Sequence, residues 1–447
     1  MSEAMEAKRL RRQIIKYAAS ILGNIIVGPM VVFSDTVIVG HILGTDSLAA
    51  LAVGGTIIQA FLGVFVFMVY VTSAMVARKF GEGDVNGALR FGVNSVYLSV
   101  AIGVICALVC GVFAKPLISM MGPSLRVAEL SREYIYGMLI FIISQLVVNA
   151  CTGILRGMKM LKVPVVGSVV CLVVNVPLNL FCLLILKMGL FGSGIASSIA
   201  TVIQVLVLLV VVLRSVHSHK TSRRASLSGM LDSLKEGIPV LVRTVMLWMS
   251  ILFLVSLVNK FGAAGTAAMQ VVDTVWVPAV FAMDAVAQAI NPLVSESMGK
   301  RDVRKTRLIV SLSIRIELVL AGLISAFFFS GAFYLPAIFT PDPLVHDFAF
   351  WGIFEAGIIV YHASFAFLSD AVMIATKDTK FLAQQSILSG TLFIVSAFFL
   401  QNIIPLNPFG FLALYATYDF VLLGTRALTS LWRYRSGMWF EVESAGK

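Results

Sequence analysis

The sequence predicts an all-α polytopic membrane protein, with twelve transmembrane helices in two parallel six-helix lobes related by pseudo-twofold symmetry. Three observations predict it. The 447 residues are 59% hydrophobic and 13% charged, about half the charge of a soluble globular chain. Apolar stretches of roughly 20 residues, long enough to cross a bilayer, recur from one end to the other. The two halves also match each other at a constant offset. Cys106, Cys110, Cys151, Cys171 and Cys182 all fall in apolar stretches and read as small core hydrophobes, not as disulfides or metal ligands.

The expected spans cover residues 14–44, 47–77, 90–114, 126–156, 162–187, 189–214, 236–260, 265–298, 306–333, 344–376, 379–403 and 408–433. Lys and Arg sort these spans by side. One side gathers 27 of them and the other five, leaving Arg243 and Arg315 inside spans. The richer side includes Lys8 to Lys16, Arg223, Arg426 and Lys447. The positive-inside rule makes it cytoplasmic. A multi-pass plasma-membrane protein with both termini in the cytoplasm is expected, placed in the inner membrane if the source is a Gram-negative bacterium. The net charge of +11 reads as topology and not as nucleic-acid binding, because no basic stripe carries interleaved aromatics. The basic run from Lys8 to Arg12 resembles a signal-peptide n-region, but the apolar stretch after it is too long, so an uncleaved first span is expected.

The polar stretch from Arg214 to Glu236 reads as a cytoplasmic linker. It gives lobes at 1–213 and 236–447 around a connection at 214–235. Residues 76–85 (VARKFGEGDV) align with 294–303 (VSESMGKRDV), an offset of 218. The same offset pairs Gly44 with Gly262, Thr56 with Thr274, Lys159 with Lys377 and Gly192 with Gly410. Six spans per half make the repeat parallel, with its axis along the membrane normal. Transporters so built bind substrate between halves and alternate access by rocking them.

Asp35 is a lone carboxylate in the first span. It lies about ten residues, roughly 15 Å, from the outer polar end near Thr45 and Asp46. An intramembrane acid costs several kcal/mol and by default marks an ion or substrate pathway; the plain alternative is a satisfied helix–helix hydrogen bond. Asn175 and Asn179 share one helical face, and Pro177 between them frees a backbone carbonyl. Two amides and a carbonyl suit a cation or a protonated acid, or else serve as helix–helix glue. Thr201 is a weaker member, since a Thr in a span ordinarily bonds its own helix.

Span eight carries Asp273, Trp276, Asp284, Gln288 and Asn291 at helical spacings, with Pro278 and Pro292 kinking it. Such a face must look inward, as a substrate cavity or a second ion site. Asp370 lies deep in span ten, with Glu355 nearer its entrance, and His362 is the one histidine well inside a span. Arg243 is expected to snorkel or to pair with an acid of span eight. Arg315 and Glu317 are expected to face the cytoplasmic interface. Trp248, Trp276 and Met283 suit an adaptable cavity for flat organic cations. There is no HExxH, P-loop or Ser-His-Asp context, so no enzyme and no cofactor is expected. Without an ATP-binding segment, energy must come from an ion gradient or a partner.

The first span and its sequel, from Pro29 through Asp35, Gly40 and Gly44 to Leu48, resembles the multidrug and toxic compound extrusion (MATE) transporters. So do residues 155–159 (LRGMK), the glycine-rich 192–201 (GSGIASSIAT) and 235–239 (KEGIP). Residues 283–289 (MDAVAQA) resemble the eighth-span motif of the DinF-type branch. The resemblance implies a cation-coupled antiporter, driven by H⁺ or Na⁺, that exports organic, mostly cationic amphipathic compounds. It also implies a monomer in the lipid bilayer with small organic substrates as its partners and no nucleic acid. Asp35 takes the position of that branch's first-span acid. Asn175 and Asn179 match an Asn and an acid that join it in a cation network in some relatives. Asn179 is a departure: it leaves one carboxylate, for protonation alone or for Na⁺ with amide oxygens. The alternative is a lipid-linked saccharide flippase of the same superfamily, which would call for a basic cavity.

Overall fold

The computed structural model describes residues 3–222, 224 and 226–440. Arg223 and Lys447 of the basic count lie outside the described residues. No strand occurs among the described residues. Helix α1 (Glu3–Leu43) ends where Gly44 takes φ 82°, a conformation that glycine adopts without steric cost. Span two is shared by α2 (Thr45–Val64) and α3 (Phe67–Gly81). Helix α4 (Val85–Val112) is capped by Asp84, whose Oδ1 accepts from the Gly87 amide at 2.8 Å. The short α5 (Ala114–Ser119) precedes α6 (Leu125–Gly137) and α7 (Leu139–Gly157), which divide span four at Met138. Helix α8 (Lys162–Leu180) runs into a π-helical turn at Phe181–Ile185, and α9 (Gly189–Ser218) follows.

The second half begins with α10 (Leu227–Val258) and α11 (Gly262–Gly299). It continues with α12 (Val303–Gly331), the short α13 (Leu335–Phe339), α14 (Pro343–Ala375) and α15 (Thr379–Leu400). Helices α16 (Pro408–Thr417) and α17 (Gly424–Arg435) flank a second π-helical turn at Tyr418–Leu423. Among the described residues, eleven segments are long and apolar enough to cross a membrane, and one of them, Leu227–Gly299, has 73 residues. At 1.5 Å per residue it would extend about 110 Å, far beyond one crossing. It breaks at the 3₁₀ turn Asn259–Phe261 and at Gly262, φ 73°, so it makes two crossings and the total is twelve.

The polar connection is shorter than expected. Helix α9 reaches Ser218 and α10 starts at Leu227, so much of 214–235 is helical. The loop is tied down by Thr221, whose Oγ1 donates to Asn86 Oδ1 at 2.7 Å, and by the Ser226 amide, which donates to Asn94 Oδ1 at 3.1 Å. Ala19–Gly237 forms one compact unit, and the described residues before Ala19 group with those from Ile238 onward in the other. Each has its own apolar core. In the first, Ile58, Ile135, Ile142 and Leu190 are enclosed; in the second, Phe328, Ile353, Phe393 and Phe411.

The repeat is written in the backbone as well as in the residues. Left-handed conformations recur 218 positions apart: Gly44 (82°) and Gly262 (73°), Gly83 (84°) and Arg301 (56°), Lys159 (63°) and Lys377 (65°). Asp302 caps α12 through the Lys305 amide as Asp84 caps α4.

Candidate functional site

Helix α1 brings Asp35 into the first unit with its neighbours already satisfied. Ser34 Oγ donates to Met30 O at 2.9 Å and Thr36 Oγ1 to Val32 O at 2.7 Å, leaving the carboxylate to bond across helices. It is 5% exposed. Asn179 Nδ2 of α8 donates to Asp35 Oδ1 at 2.6 Å, and Ser197 Oγ of α9 donates to Asp35 Oδ2 at 2.9 Å. Asn175 Nδ2 donates to Ser197 Oγ at 3.0 Å, and Asn179 Nδ2 also reaches Ser193 Oγ at 3.2 Å. Every donor to the acid is neutral, and no Lys, Arg or His pairs with it among the described residues. The Oδ1 atoms of Asn175 and Asn179 are buried without a partner. One desolvated carboxylate and two unsatisfied amide oxygens therefore share the site, an arrangement that favours a bound cation or proton.

Asn179 contacts Asp35 directly and Asn175 joins it through Ser197, but Thr201 is not brought to the acid. Thr201 Oγ1 donates to Ser197 O at 2.8 Å and lies 4.0 Å from Cys171 Sγ. The α9 members that matter are Ser197 and Ser193. The run Ser193, Ser197, Thr201 at four-residue intervals was the available signal for them, since it lays three hydroxyls on one face. A further polar cluster continues along the same helices. Ser168 Oγ lies 2.9 Å from the Asn24 side-chain amide and accepts from Gln204 Nε2 at 3.0 Å.

The second unit departs more from expectation. Arg243 does not simply snorkel: its Nε donates to Asp370 Oδ2 of α14 at 2.7 Å. Arg426, counted above as a cytoplasmic loop charge, is fully buried and donates to the same oxygen at 2.5 Å. Two guanidiniums on one acid make Asp370 an ion-pair member instead of an open cation ligand. His362 Nδ1 and Asp419 Oδ1 are 2.9 Å apart.

On α11, Gln288 Nε2 donates to Asp284 Oδ2 at 2.5 Å. Asp273 is half-buried eleven residues away, about 16 Å along the helix. Trp276 packs on Phe328, ring centroids 6.1 Å apart, in the apolar core. These candidates are therefore not assembled into one cluster. Arg315 is exposed, but Glu317 is 2% exposed and well inside α12, not at the interface where it was expected. No group of three His, Cys, Asp or Glu able to hold a metal occurs among the described residues, and the five cysteines are free and buried.

Comparison with known proteins supplies the frame for this geometry. The MatE family model matches residues 20–181 and 239–399, the two halves of the repeat. DNA damage-inducible protein F of Escherichia coli is 23% identical over 431 residues, 94% of this chain and 92% of its own length. A probable multidrug resistance protein NorM of Halalkalibacterium halodurans is 23% identical over 399 residues, 85% of each chain. The crystal structure of the Vibrio cholerae MATE transporter VcmN in its bent form has the same fold. It superposes with a TM-score of 0.87 at 18% identity, covering 98% of this chain and 99% of its own.

Proposed function

We propose, from the premise that this chain belongs to the MatE family and is a membrane transporter and not an enzyme, that it is a cation-coupled multidrug antiporter. It exports organic, mostly cationic amphipathic compounds by alternating access in exchange for H⁺ or Na⁺. It works as a monomer in the plasma membrane with both termini in the cytoplasm. The observation that carries the reading is Asp35, a buried carboxylate held by neutral donors, chiefly Asn179 and Ser197. An acid clamped by arginine is occupied already; an acid held by neutral donors gains most when a cation arrives. The two partnerless amide oxygens of Asn175 and Asn179 add ligands for that cation. Its arrival neutralises the carboxylate and weakens the α1–α8–α9 contacts that depend on its charge, which links occupancy to the shape of this unit.

Saccharide-lipid transport would call for cationic side chains able to take phosphate. Arg243 and Arg426 both hydrogen-bond Asp370 instead, which supports the antiporter reading. The test uses everted membrane vesicles carrying a fluorescent organic cation, driven by an imposed pH gradient or by a Na⁺ gradient alone. The wild-type protein accumulates the dye under at least one gradient, and Asp35→Asn falls to the level of vesicles lacking the protein. Efflux and ion dependence unchanged in Asp35→Asn would refute the assignment.

A further inference from the structure

Asp419 is a fully buried acid at a break in its helix. It lies in the π-helical turn Tyr418–Leu423, where the Gly424 amide reaches back five residues to Asp419 O; such turns are frequent at functional sites. His362 Nδ1 of α14 stands 2.9 Å from Asp419 Oδ1. The other carboxylate oxygen, Oδ2, is buried without a partner, so the imidazole is the one side chain that hydrogen-bonds this acid among the described residues. The imidazole itself is half-buried, and the Phe420 ring crosses it at 66° with centroids 5.6 Å apart. His362 lies about 28 Å from the start of α14 at Pro343 and about 20 Å from its end at Ala375, so the pair sits in the interior of the span.

The groups around the pair supply no other counter-charge. Glu355 stands seven residues before His362, two turns back on the same face of α14; it is 2% exposed and its Oε1 has no partner. Tyr418 adjoins Asp419, and Tyr415 is the titratable group of α16. From α17, Arg426 is bonded to Asp370, as is Arg243 of α10, and Arg433 is bonded to Asp378. Helix α15, which packs on the π-helical turn, carries no charged residue except Lys380 at its start. Helices α11 and α12, which pack on α14, bear Asp273, Asp284, Arg315 and Glu317 within their spans, and none of these hydrogen-bonds His362 or Asp419. An ionised Asp419 is therefore balanced through His362, and an unbalanced charge at this depth is costly.

We infer that His362 is a proton-binding group of the second unit, with Asp419 as its buried counter-charge. An ionised carboxylate only accepts hydrogen bonds, so Nδ1 turns its N–H to Asp419 and Nε2 keeps the free lone pair. A proton arriving at Nε2 forms an N–H bond there and makes an imidazolium beside the carboxylate; release breaks that same bond. The pair thus alternates between one net negative charge and none, and the exposed part of the imidazole gives the proton its way in and out. The ligand is H⁺ and not a metal cation, because a hard cation takes oxygen ligands and the atom that meets Asp419 is an imidazole nitrogen. The repeat positions in the first half are Ser144 and Thr201, neither of which titrates, so this site belongs to the second unit alone. It rests on other helices than the Asp35 site, and its test reads protonation of a ring and not transport, so the two readings fail separately.

The experiment is solid-state nitrogen-15 NMR of the full-length protein in liposomes, labelled at its five histidines, from about pH 5 to about pH 9, on either side of the ordinary imidazole value. Comparison with His362→Gln assigns the His362 signals. In wild type its Nε2 signal passes reversibly from the protonated to the bare form as pH rises, while Nδ1 stays protonated throughout. In Asp419→Asn the ratio of imidazolium to neutral imidazole at matched pH is several-fold smaller, because the counter-charge is gone. A His362 Nε2 signal that does not move over the range overturns the site, and so does a ratio unchanged by Asp419→Asn. Loss of the imidazolium on adding Na⁺ at fixed pH overturns the assignment to H⁺. Should His362→Gln fail to fold, Asp419→Asn decides alone: histidine signals that all titrate as in wild type overturn the pair.

Discussion

Asp35 and Asp370 are both buried acids, yet their partners differ in kind. Neutral donors surround Asp35; two arginines surround Asp370. Asp370→Ala would strand two guanidiniums in a nonpolar interior, a loss of about 3–5 kcal/mol by the measure of other broken buried pairs. Asp35→Asn keeps the shape and strands no charge, so its cost to folding is about 1 kcal/mol or less. Thermal unfolding of the purified variants should lower the midpoint sharply for Asp370→Ala and little for Asp35→Asn, the reverse of their ranking in ion-coupled efflux; equal midpoints would contradict the ion-pair account. The sequence made Asp35, Asn175 and Asn179 legible because a lone acid and an Asn pair at helical spacing are rare in spans. Ser193 and Ser197 were hidden, since serine is common in packed helices and ordinarily bonds its own backbone. Arg426 was misplaced for a different reason: it sits near the basic end of the chain, and only the fold shows that α17 carries it to Asp370.

At the scale of elements, α6 and α9 meet through glycine. A Cβ on Gly137 would lie 2.5 Å from the Phe191 carbonyl oxygen, and one on Gly194 would lie 2.9 Å from that of Tyr134. Those are backbone atoms and cannot rotate away. Gly137→Ala and Gly194→Ala are each expected to cost about 1–3 kcal/mol of stability, read as a lower unfolding midpoint. Because α9 also carries Ser197, the same substitutions should weaken substrate efflux. Gly55→Ala, where a Cβ meets nothing within 4 Å, is the control expected to leave both unchanged. The twelve spans were visible in hydropathy, but their interior breaks were not. Met138, the Phe65–Val66 step and the π-helical turn at Phe181–Ile185 interrupt apolar runs that hold no proline or charge at the break. Such departures arise from packing against neighbouring helices, which a linear pattern does not record.

For the whole molecule, the repeat at offset 218 was legible because matched glycines and lysines mark the same left-handed corners in both halves. The chemistry laid over that frame is not repeated. Asp35 has Phe253 at its repeat position, and Asp370 has Thr152 at its own. One half leaves its acid with neutral donors alone, whereas the other supplies arginine to its own acid. Orientation is a testable property at this scale. A green fluorescent protein fused after Lys447 should be fluorescent, and alkaline phosphatase inserted at Gly122, between α5 and α6, should be active. The opposite pair of results would invert the assignment of both termini to the cytoplasm.

The π-helical turn at Phe181–Ile185 begins two residues beyond Asn179. A π turn accommodates one residue more than an α turn, so it offsets the angular phase of α8 on its two sides by about 100°. Asn179 lies on the inner side of that offset and the Lys187–Met188 corner on the outer side. Sliding the extra residue along the helix would swing one side about its axis while the other stays still, with no hinge and no broken span. The helix can thus work as a rotary clutch between the amide that holds Asp35 and the Lys187–Met188 corner.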